Sequence, residues 1–269
     1  MVKKLYQYLF AHRNREGLIL QIDDEWGEIA PLPGWSLETF SEAKQEILDV
    51  LRENKKPTLP SVLFGLSTKP LSPVKVRLSA LNSPRTGCTT LKLKLGHLTI
   101  DQAVARVKQY VGKYRLRLDC NRKWTLSQAL LFASHFCSTD FEYLEEPVDT
   151  YSDLIRFSLK TQFPIAVDES LRERSCLDIP TLTAAVIKPT LWGHIPKLSC
   201  PIVFSSAYES SLGILQIARF ADHEIPQGLD TFSPDFLNPP ISVENGYLTW
   251  TPSKNPIDTR QLCLIATVP

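Results

Sequence analysis

From about residue 75 onward, short apolar runs recur along the chain and are separated by longer amphipathic segments. Two of these segments open with helix-capping patterns, Thr99-x-x-Gln102 and Thr125-x-x-Gln128, and a third begins at Thr150 followed by Asp153. Strand, helix and strand at this spacing predict parallel β/α units with right-handed crossovers. The apolar runs are Val74–Leu78, Leu91–Leu95, Leu116–Leu118, Phe141–Leu144, Pro164–Val167, Ala184–Ile187 and Ile202–Phe204, with a poorer one at Ile225–Leu229.

A polar and mostly ionisable residue stands directly after each of six consecutive runs, except that Lys94 lies inside its run: Lys94, Asp119, Glu145, Asp168, Lys188 and Ser205. The intervals between them are 25, 26, 23, 20 and 17 residues, each about one β/α unit. A (β/α)8 barrel builds its active site at the carboxyl ends of its strands, so this pattern predicts such a barrel. An open doubly wound sheet is the alternative, but it does not require an ionisable residue at the end of each successive strand.

Three of these residues are acidic, and Asp119, Glu145 and Asp168 would end strands 3, 4 and 5 of the barrel. Neighbouring carboxylates repel one another unless a cation lies between them, and oxygen ligands favour a hard ion such as Mg²⁺. A single carboxylate at a strand end is more often a helix cap or a loop salt bridge, so the prediction depends on the whole set. The spacing does not decide between Glu145 and Glu146, or between Asp168 and Glu169.

Two lysines complete the pattern. If Val74–Leu78 is strand 1, Lys94 and Lys188 end strands 2 and 6, which lie opposite each other in a ring of eight. The metal site would then lie on the wall between them. The alternative for Lys94 is the solvated face of an edge strand, which the sequence Leu-Lys-Leu-Lys-Leu also fits.

The first 80 or so residues follow a different pattern and predict an α+β part. Leu18–Ile22 and Glu28–Ala30 fit short strands on either side of a turn at Asp23-Asp24. Four prolines among residues 57–73 keep any helix there short. Ser36 is expected to cap a helix whose apolar positions have helical spacing, namely Phe40, Ala43, Ile47, Val50 and Leu51.

Charge and hydropathy exclude several functional classes. Thirty Lys and Arg residues against 29 Asp and Glu give a net charge of +1, so no basic field favours nucleic acid or membrane lipid. No apolar run reaches the ~18 residues needed to cross a bilayer, and the N-terminus lacks the pattern of a signal peptide. Six cysteines without a C-x-x-C pair favour reduced thiols. We therefore expect a soluble cytoplasmic enzyme that acts on a small molecule, with no nucleic acid or membrane partner.

The strand-end motifs are Leu-Lys-Leu-Lys-Leu-Gly (91–96), Leu-Arg-Leu-Asp-Cys-Asn-Arg-Lys-Trp-Thr (116–125), Tyr-Leu-Glu-Glu-Pro (143–147), Val-Asp-Glu-Ser-Leu-Arg-Glu (167–173) and Val-Ile-Lys-Pro-Thr (186–190). With these motifs the chain resembles the enolase superfamily, in its muconate-lactonizing-enzyme-like branch. Segments outside the barrel core resemble one family of that branch, and the likeness extends from about residue 18 to about residue 231. These segments are 26–36, 60–65, 205–213 and 225–231.

The resemblance implies a (β/α)8-type, TIM-like barrel with an N-terminal α+β capping domain. Residues 1–80, joined by 232–269, would form the cap, and residues 81–231 the modified barrel. Asp119, Glu145 and Asp168 would bind Mg²⁺, for which Mn²⁺ would substitute, and Lys94 and Lys188 would be catalytic. Substrate-binding or supporting roles are implied for Lys92, Arg117, Asn121, Ser205, Ser206, Gly228 and Leu229.

The implied reaction is loss of water from 2-succinyl-6-hydroxy-2,4-cyclohexadiene-1-carboxylate to give o-succinylbenzoate, a step of menaquinone biosynthesis. The divalent ion would stabilise the enediolate that forms when the proton α to the carboxylate leaves. Lys94 would have to be partly neutral near pH 7, against an ordinary pKa of about 10.4, and Lys92 and the metal both disfavour its charge. The same group would then protonate the departing hydroxyl, while charged Lys188 stabilises the anion from the opposite face.

Two other functions fit the same residues. A racemase of N-acylated amino acids or an epimerase of dipeptides would also use two opposed lysines. A non-catalytic relic of the barrel that only binds a ligand is the other alternative, although it has no reason to retain five charged site residues.

Residues 189–201 depart from this family. Thirteen residues with three prolines and a glycine cannot form an outer helix of about 8–12 residues together with its turns. We therefore predict a barrel that lacks its sixth outer helix, and the loop Ala11–Gly17 is also short for a lid over the substrate. A monomer or a weak homo-oligomer is expected. The barrel wall would be covered by apolar side chains of an irregular loop: Leu191, Trp192, Ile195 and Leu198.

Overall fold

The structure is a computed structural model that describes residues 2–10, 15–174 and 177–269. The strands are β1 (Lys3–Phe10), β2 (Arg15–Ile22), β3 (Glu25–Ile29), β4 (Lys69–Pro70), β5 (Val74–Arg77), β6 (Ser79–Leu81), β7 (Thr90–Lys94), β8 (Arg115–Asp119), β9 (Phe141–Glu145), β10 (Ile165–Val167), β11 (Leu182–Ile187), β12 (Ile202–Phe204), β13 (Ser242–Glu244), β14 (Tyr247–Trp250) and β15 (Cys263–Val268). The helices are α1 (Phe40–Glu53), α2 (Pro60–Gly65), α3 (Ile100–Lys108), α4 (Leu126–Ala133), α5 (Tyr151–Thr161), α6 (Glu169–Glu173), α7 (Pro189–Trp192) and α8 (Ser211–Ala218).

The N-terminal part contains an antiparallel sheet with the strand order β15-β1-β2-β3-β4. The predicted strands at 18–22 and 28–30 lie within β2 and at the end of β3, and the chain turns between them at Asp23 and Asp24. Helix α2 is short, as the prolines predict. The sheet and the two helices share a separate apolar core, formed by Leu5, Leu18, Leu20, Ile29, Ala43, Ile47, Leu51 and Val62.

Helix α1 begins at a different cap from the one predicted. Thr39, not Ser36, is the N-cap, and it forms a capping box with Glu42. The Ser36 hydroxyl instead accepts a hydrogen bond from the backbone N–H of Leu32 at 2.8 Å. Both residues are good caps by type, but only Thr39 has a carboxylate three positions later that can accept from its own backbone N–H.

A second sheet is parallel and curls into a barrel, with the strand order β6-β7-β8-β9-β10-β11-β12. Gln227 and Gly228 close the ring between its two edges. The backbone N–H of Ser79 donates to Gln227 O at 2.9 Å, and the N–H of Gly228 donates to Phe204 O at 2.8 Å. These two residues form a short eighth segment of the barrel, which lies inside the predicted run Ile225–Leu229. The barrel prediction is confirmed.

The prediction that Val74–Leu78 is the first barrel strand is wrong. Val74–Arg77 is β5, which pairs antiparallel with β14 in a separate three-stranded sheet. The first barrel strand is β6, which pairs with β7. Residues 74–81 therefore belong to two sheets. Tyr247–Trp250 pairs with residues 74–77, and residues 79–81 pair with β7. The numbering of the later strands does not change.

The outer helices of the barrel begin where the capping patterns predict. Thr99 and Thr125 form capping boxes with Gln102 and Gln128 at the starts of α3 and α4. The hydroxyl of Thr150 accepts from the backbone N–H of Asp153 at the start of α5. The buried faces of these helices belong to one continuous core with the barrel strands.

Between β11 and β12 the structure has only α7, a single turn of four residues. The turn ends at Gly193, whose φ is +74° and where a Cβ would lie 2.9 Å from Cα of Pro60 in α2. Leu191 is buried, and the other predicted apolar residues, Trp192, Ile195 and Leu198, pack against the main core. The prediction of a barrel without its sixth outer helix is confirmed, and α2 lies against α7.

Residues 11–14 of the short loop predicted at Ala11–Gly17 lie outside the described residues, whereas Arg15–Gly17 belong to β2. Cys176 also lies outside them, and the described cysteines are free thiols. No helix within residues 2–10, 15–174 and 177–269 has the length and apolarity required to span a bilayer.

Candidate active site

The parallel strands bring the predicted residues to one mouth of the barrel. Lys94 aligns with Asp119 across β7 and β8, and Asp119 aligns with Glu145 across β8 and β9. Asp168 and Lys188 directly follow β10 and β11, and Ser205 follows β12. Because carboxyl ends of parallel strands share an edge, these residues lie at the same mouth of the barrel.

Lysine ammonium groups lie against the carboxylates. Nζ of Lys92 lies 2.6 Å from Oε2 of Glu145 and 3.0 Å from Oδ2 of Asp119. Nζ of Lys94 lies 3.2 Å from the same oxygen of Asp119, and Lys188 pairs with Asp168. Two lysines and two acids therefore form one ion-paired cluster, namely Lys92, Lys94, Asp119 and Glu145. Lys188 and Asp168 form a separate ion pair beside it.

Burial and neighbouring charges shift the protonation of this cluster. Burial raises the pKa of Glu145 to about 7, and Asp119 adds to this rise while Lys92 opposes it. Burial also acts to raise the pKa of Asp119, but Lys92 and Lys94 outweigh it and lower that pKa to about 2. Burial acts to lower the pKa of Lys188, but Asp168 and Glu145 outweigh it, so the pKa is raised and the side chain is charged at neutral pH.

The three acids fit a hard divalent cation by their chemistry. Asp119, Glu145 and Asp168 are each at most 2% exposed, and Oε1 of Glu145 is buried with no hydrogen-bond partner. A buried carboxylate oxygen without a partner is costly unless a ligand occupies it. Within the described part of the chain, no three acidic, histidine or cysteine side chains are already arranged to hold an ion. Each carboxylate faces a lysine instead, so binding an ion requires these ammonium groups to move aside.

The structure distinguishes the two pairs of adjacent acids. Glu145 and Asp168 contact the lysines of the mouth, whereas Glu146 pairs with Arg122. Glu169 is the first residue of α6. The lysine contacts favour the first acid of each pair as the ligand, although Oε2 of Glu169, like Oε1 of Glu145, is buried without a hydrogen-bond partner.

A small cavity of 60 Å³ lies at this mouth. The predicted residues that line it are Lys92, Lys94, Asp119, Lys188, Ser205, Ser206 and Gly228. Asn121 is close by, since its Oδ1 lies 3.4 Å from Nζ of Lys94. The Ser205 hydroxyl donates to Gly228 O at 3.3 Å. This hydrogen bond joins the end of the seventh barrel strand to the short eighth segment.

Of the predicted site residues, Asn121, Glu145 and Asp168 do not line this cavity, and neither do Arg117 and Leu229. Arg117 is 1% exposed and lies one layer deeper in the barrel than Asp119, where it donates to Pro226 O at 2.6 Å and to Glu142 at 2.7 Å. The Leu229 side chain is fully buried in the main core. These contacts support the barrel beneath the site.

Five residues that line the cavity were not predicted: Ser79, Leu81, Tyr208, Asp230 and Thr231. Asp230 and Thr231 directly follow the predicted pair Gly228-Leu229. Their position at the end of the eighth barrel segment was the signal that could have identified them. Ser79 and Leu81 were missed because the first barrel strand was placed one segment too early. Tyr208 has no such signal in the sequence.

Comparisons with known proteins agree with this geometry. The sequence profile described as "Enolase C-terminal domain-like" matches residues 76–178, and the profile described as "MenC, N-terminal domain" matches residues 9–71. An o-succinylbenzoate synthase of Haemophilus influenzae is 35% identical over 81% of this chain and 83% of its own length. One of Pasteurella multocida is 33% identical over 85% of this chain and 88% of its own length.

Solved structures show the same fold. An o-succinylbenzoate synthase from Thermosynechococcus elongatus, complexed with Mg in the active site, has a TM-score of 0.65 at 22% identity, covering 86% of this chain and 91% of that one. The L-Ala-D/L-Glu epimerase of Bacillus subtilis has a TM-score of 0.71 at 18% identity, covering 100% and 99%. At these identities the likeness establishes the fold alone.

A capped (β/α)8-type barrel with lysines and buried carboxylates on successive strand ends defines a member of the enolase superfamily, as the motifs predict. The relatives at 33–35% identity extend this likeness over more than four fifths of the chain. The chain belongs to the o-succinylbenzoate synthase family.

Proposed function

We propose that this chain removes water from 2-succinyl-6-hydroxy-2,4-cyclohexadiene-1-carboxylate to give o-succinylbenzoate, a lyase reaction of menaquinone biosynthesis. The observation that carries the proposal is the arrangement of the barrel mouth. Two lysines, Lys94 and Lys188, flank three buried acids in a chain of the o-succinylbenzoate synthase family.

Asp119, Glu145 and Asp168 would hold the divalent ion, Mg²⁺ or, as a substitute, Mn²⁺. When it is bound, such an ion supplies positive charge that stabilises the anion formed when the substrate loses its proton. The buried Oε1 of Glu145, which has no partner, supports this assignment. So does the bound Mg of the Thermosynechococcus relative.

Lys94 would remove the proton α to the ring carboxylate and return it to the departing hydroxyl. The Lys94 side chain is one-third exposed and lines the cavity, so its ammonium group can reach a substrate there. Lys188 would remain charged and stabilise the anion, in keeping with its raised pKa beside Asp168. The Oδ1 of Asn121 would orient the ammonium of Lys94.

Ser205, Ser206 and the backbone of Gly228 and Leu229 would bind the succinyl carboxylate of the substrate. The first three line the cavity, and they follow or adjoin β12 rather than the strands β8 to β10 that precede the three acids. Lys92 would balance the charge of Asp119 and Glu145 rather than take part in proton transfer, because its Nζ contacts both carboxylates.

Residues 1–80 with 232–269 would form the cap, and residues 81–231 the catalytic barrel. Supporting this division, β15 pairs with β1 and β14 pairs with β5, so the C-terminal segment returns to the N-terminal part. We further propose a cytoplasmic enzyme with a small-molecule substrate, no nucleic acid or membrane partner, and a monomeric or weakly associated state.

The test is an absorbance assay with purified protein, the cyclohexadiene substrate and Mg²⁺, in which the aromatic product is followed in the ultraviolet. Product should form with the wild type and be absent with Lys94→Ala and Lys188→Ala. A well-folded protein that binds the substrate without forming product would refute the proposal and favour the relic binding module.

A second candidate is the racemisation of N-acylated amino acids or the epimerisation of dipeptides. Lys94 and Lys188 favour it, because two lysines on separate strands can remove a proton from one face of a carbon and deliver one to the other. Circular dichroism of N-succinyl amino acids incubated with the enzyme measures it. Racemisation faster than dehydration would make this the main function.

A further inference from the structure

The acid that follows Glu145 connects two loops of the barrel mouth. Glu146 is fully buried. Its Oε1 accepts hydrogen bonds from the backbone N–H groups of Asp168 at 2.9 Å and Ser170 at 2.7 Å. Its Oε2 accepts from the Ser170 hydroxyl at 2.8 Å and from Nε of Arg122 at 3.2 Å. Both oxygens are therefore engaged, and the carboxylate fixes the position of the backbone at Asp168.

Arg122 connects the loop after β8 to Glu146 and Ser170. Its guanidinium donates to both carboxylate oxygens of Glu173, at 2.7 and 2.9 Å, and to the Ser170 hydroxyl at 2.8 Å. Its backbone N–H donates to Glu146 O at 2.8 Å. A two-pronged arginine–carboxylate contact restricts geometry more than a single contact does. The loops after three successive strands are thus joined by side chains outside the β-ladder.

The backbone of these loops is held in an unusual conformation. Asn121, Arg122 and Glu146 have φ values of 45°, 58° and 42°, in the left-handed region that favours glycine. Non-glycine residues keep such a conformation where the surrounding contacts determine it. Asn121 and Glu146 lie within two residues of the candidate ligands Asp119 and Glu145, so these contacts also determine how the two acids are presented.

We propose that Arg122, Glu146, Ser170 and Glu173 form a positioning clamp that sets the spacing of the three acids for a divalent cation. The inference rests on the proposed function, because it takes Asp119, Glu145 and Asp168 as the ligands. Each of the three ligand-bearing loops contributes at least one member of the clamp, and the clamp residues position the acids without binding the ion. Groups that orient metal ligands typically change metal affinity or activity about 10–100-fold when they are removed.

The sharpest variant is Glu146→Gln, which keeps the shape of the side chain. All four groups that contact Glu146 are donors, so the amide nitrogen of glutamine must face a donor on one side. The matched control is Glu38→Gln in the N-terminal part. Glu38 is also buried and accepts a hydrogen bond from the backbone N–H of Ser61 at 2.8 Å, but Ser61 lies in α2 and not in the loops that carry the three acids.

Isothermal titration with Mg²⁺ alone measures the affinity, and thermal unfolding without Mg²⁺ measures stability. Glu146→Gln should bind Mg²⁺ about 10–100-fold more weakly than the wild type. Glu38→Gln should leave the Mg²⁺ affinity unchanged, whatever its effect on the unfolding midpoint. Ser170→Ala, which removes one hydroxyl, should weaken Mg²⁺ binding several-fold.

Wild-type Mg²⁺ affinity in both Glu146→Gln and Ser170→Ala would overturn the clamp, even if both variants unfold more readily. If Glu146→Gln does not fold, the affinity of Ser170→Ala decides the question alone. A wild-type protein that binds no Mg²⁺ would instead refute the metal site of the proposed function, and the clamp with it.

Discussion

Lys92 and Lys94 lie two residues apart on β7, and the structure predicts opposite consequences for the same substitution at the two positions. Lys94→Met should remove activity and leave stability nearly intact. Lys92→Met should cost stability and reduce activity less. The contrast separates the group that transfers the proton from the group that balances the charge of the acids.

The expected magnitudes follow from the burial and contacts of each ammonium group. The Lys94 side chain is 34% exposed, and its Nζ lies 3.2 Å from Asp119, so the loss of this pair should cost at most about 1 kcal/mol. Removing a general acid or base lowers the rate by about 10²–10⁴-fold. The Lys92 side chain is 12% exposed and pairs with two acids that are each 1% exposed. Breaking such a buried pair costs about 3–5 kcal/mol, which corresponds to roughly 6–20 °C in the unfolding midpoint.

Thermal unfolding in EDTA and in Mg²⁺, together with the absorbance assay at saturating Mg²⁺, measures both effects. Mg²⁺ should restore part of the stability of Lys92→Met, because a cation then balances Asp119 and Glu145 in place of the ammonium. Near-normal turnover of Lys94→Met would refute its role in proton transfer. Equal losses of stability in the two variants would refute the distinction between the mostly buried Lys92 and the one-third exposed Lys94.

Three further predictions concern the second lysine, the ion and the contact between cap and barrel. Lys188→Ala should abolish dehydration and retain Mg²⁺ binding, measured by absorbance and by titration calorimetry. Dialysis against EDTA should remove activity and lower the unfolding midpoint, and Mg²⁺ should restore both. Burial raises the pKa of Glu28 although Ser210 and Tyr8 donate hydrogen bonds to its carboxylate. The folded protein therefore holds the carboxyl proton of Glu28 more tightly than the unfolded chain does. The stabilising contribution of Glu28 is thus greatest below the ordinary pKa of about 4.3 and falls as the pH rises through the raised value. Urea unfolding of the wild type and Glu28→Gln between pH 4 and 8 should show the wild type losing stability relative to the variant as the pH rises.

The residues of the barrel mouth could be predicted from sequence because each ends its own apolar strand. In a parallel sheet, neighbouring strand ends meet at one edge whatever the connecting helices do, so Lys94, Asp119 and Glu145 come together through local pattern alone. The missing sixth helix was predictable for a similar reason, since prolines limit a helix from within the segment.

Features that depend on distant partners could not be predicted in this way. Val74–Arg77 has the composition of a barrel strand, but Tyr247–Trp250 pairs with it from the other end of the chain. Glu145 and Glu146 have the same side chain, and only contacts with Arg122 and the loop after β10 show which of them turns away from the mouth. Residue type and spacing do not contain this information.

The barrel closes through a junction that differs from its other strand pairings. Strands β6 to β12 pair side by side in one sheet, whereas Gln227 and Gly228 contribute only isolated bridges, reinforced by the Gln227 side chain, which accepts from the backbone N–H of Phe204 at 2.7 Å. We therefore expect local opening of the ring to begin at this junction, so that the amides of Gly228 and Ser206 exchange with solvent deuterium before those of β8 and β9. The serines of the mouth lie beside the junction, whereas the three acids follow strands away from it. In the proposed function, a substrate carboxylate bound by the serines would then enter and leave without displacing the acids.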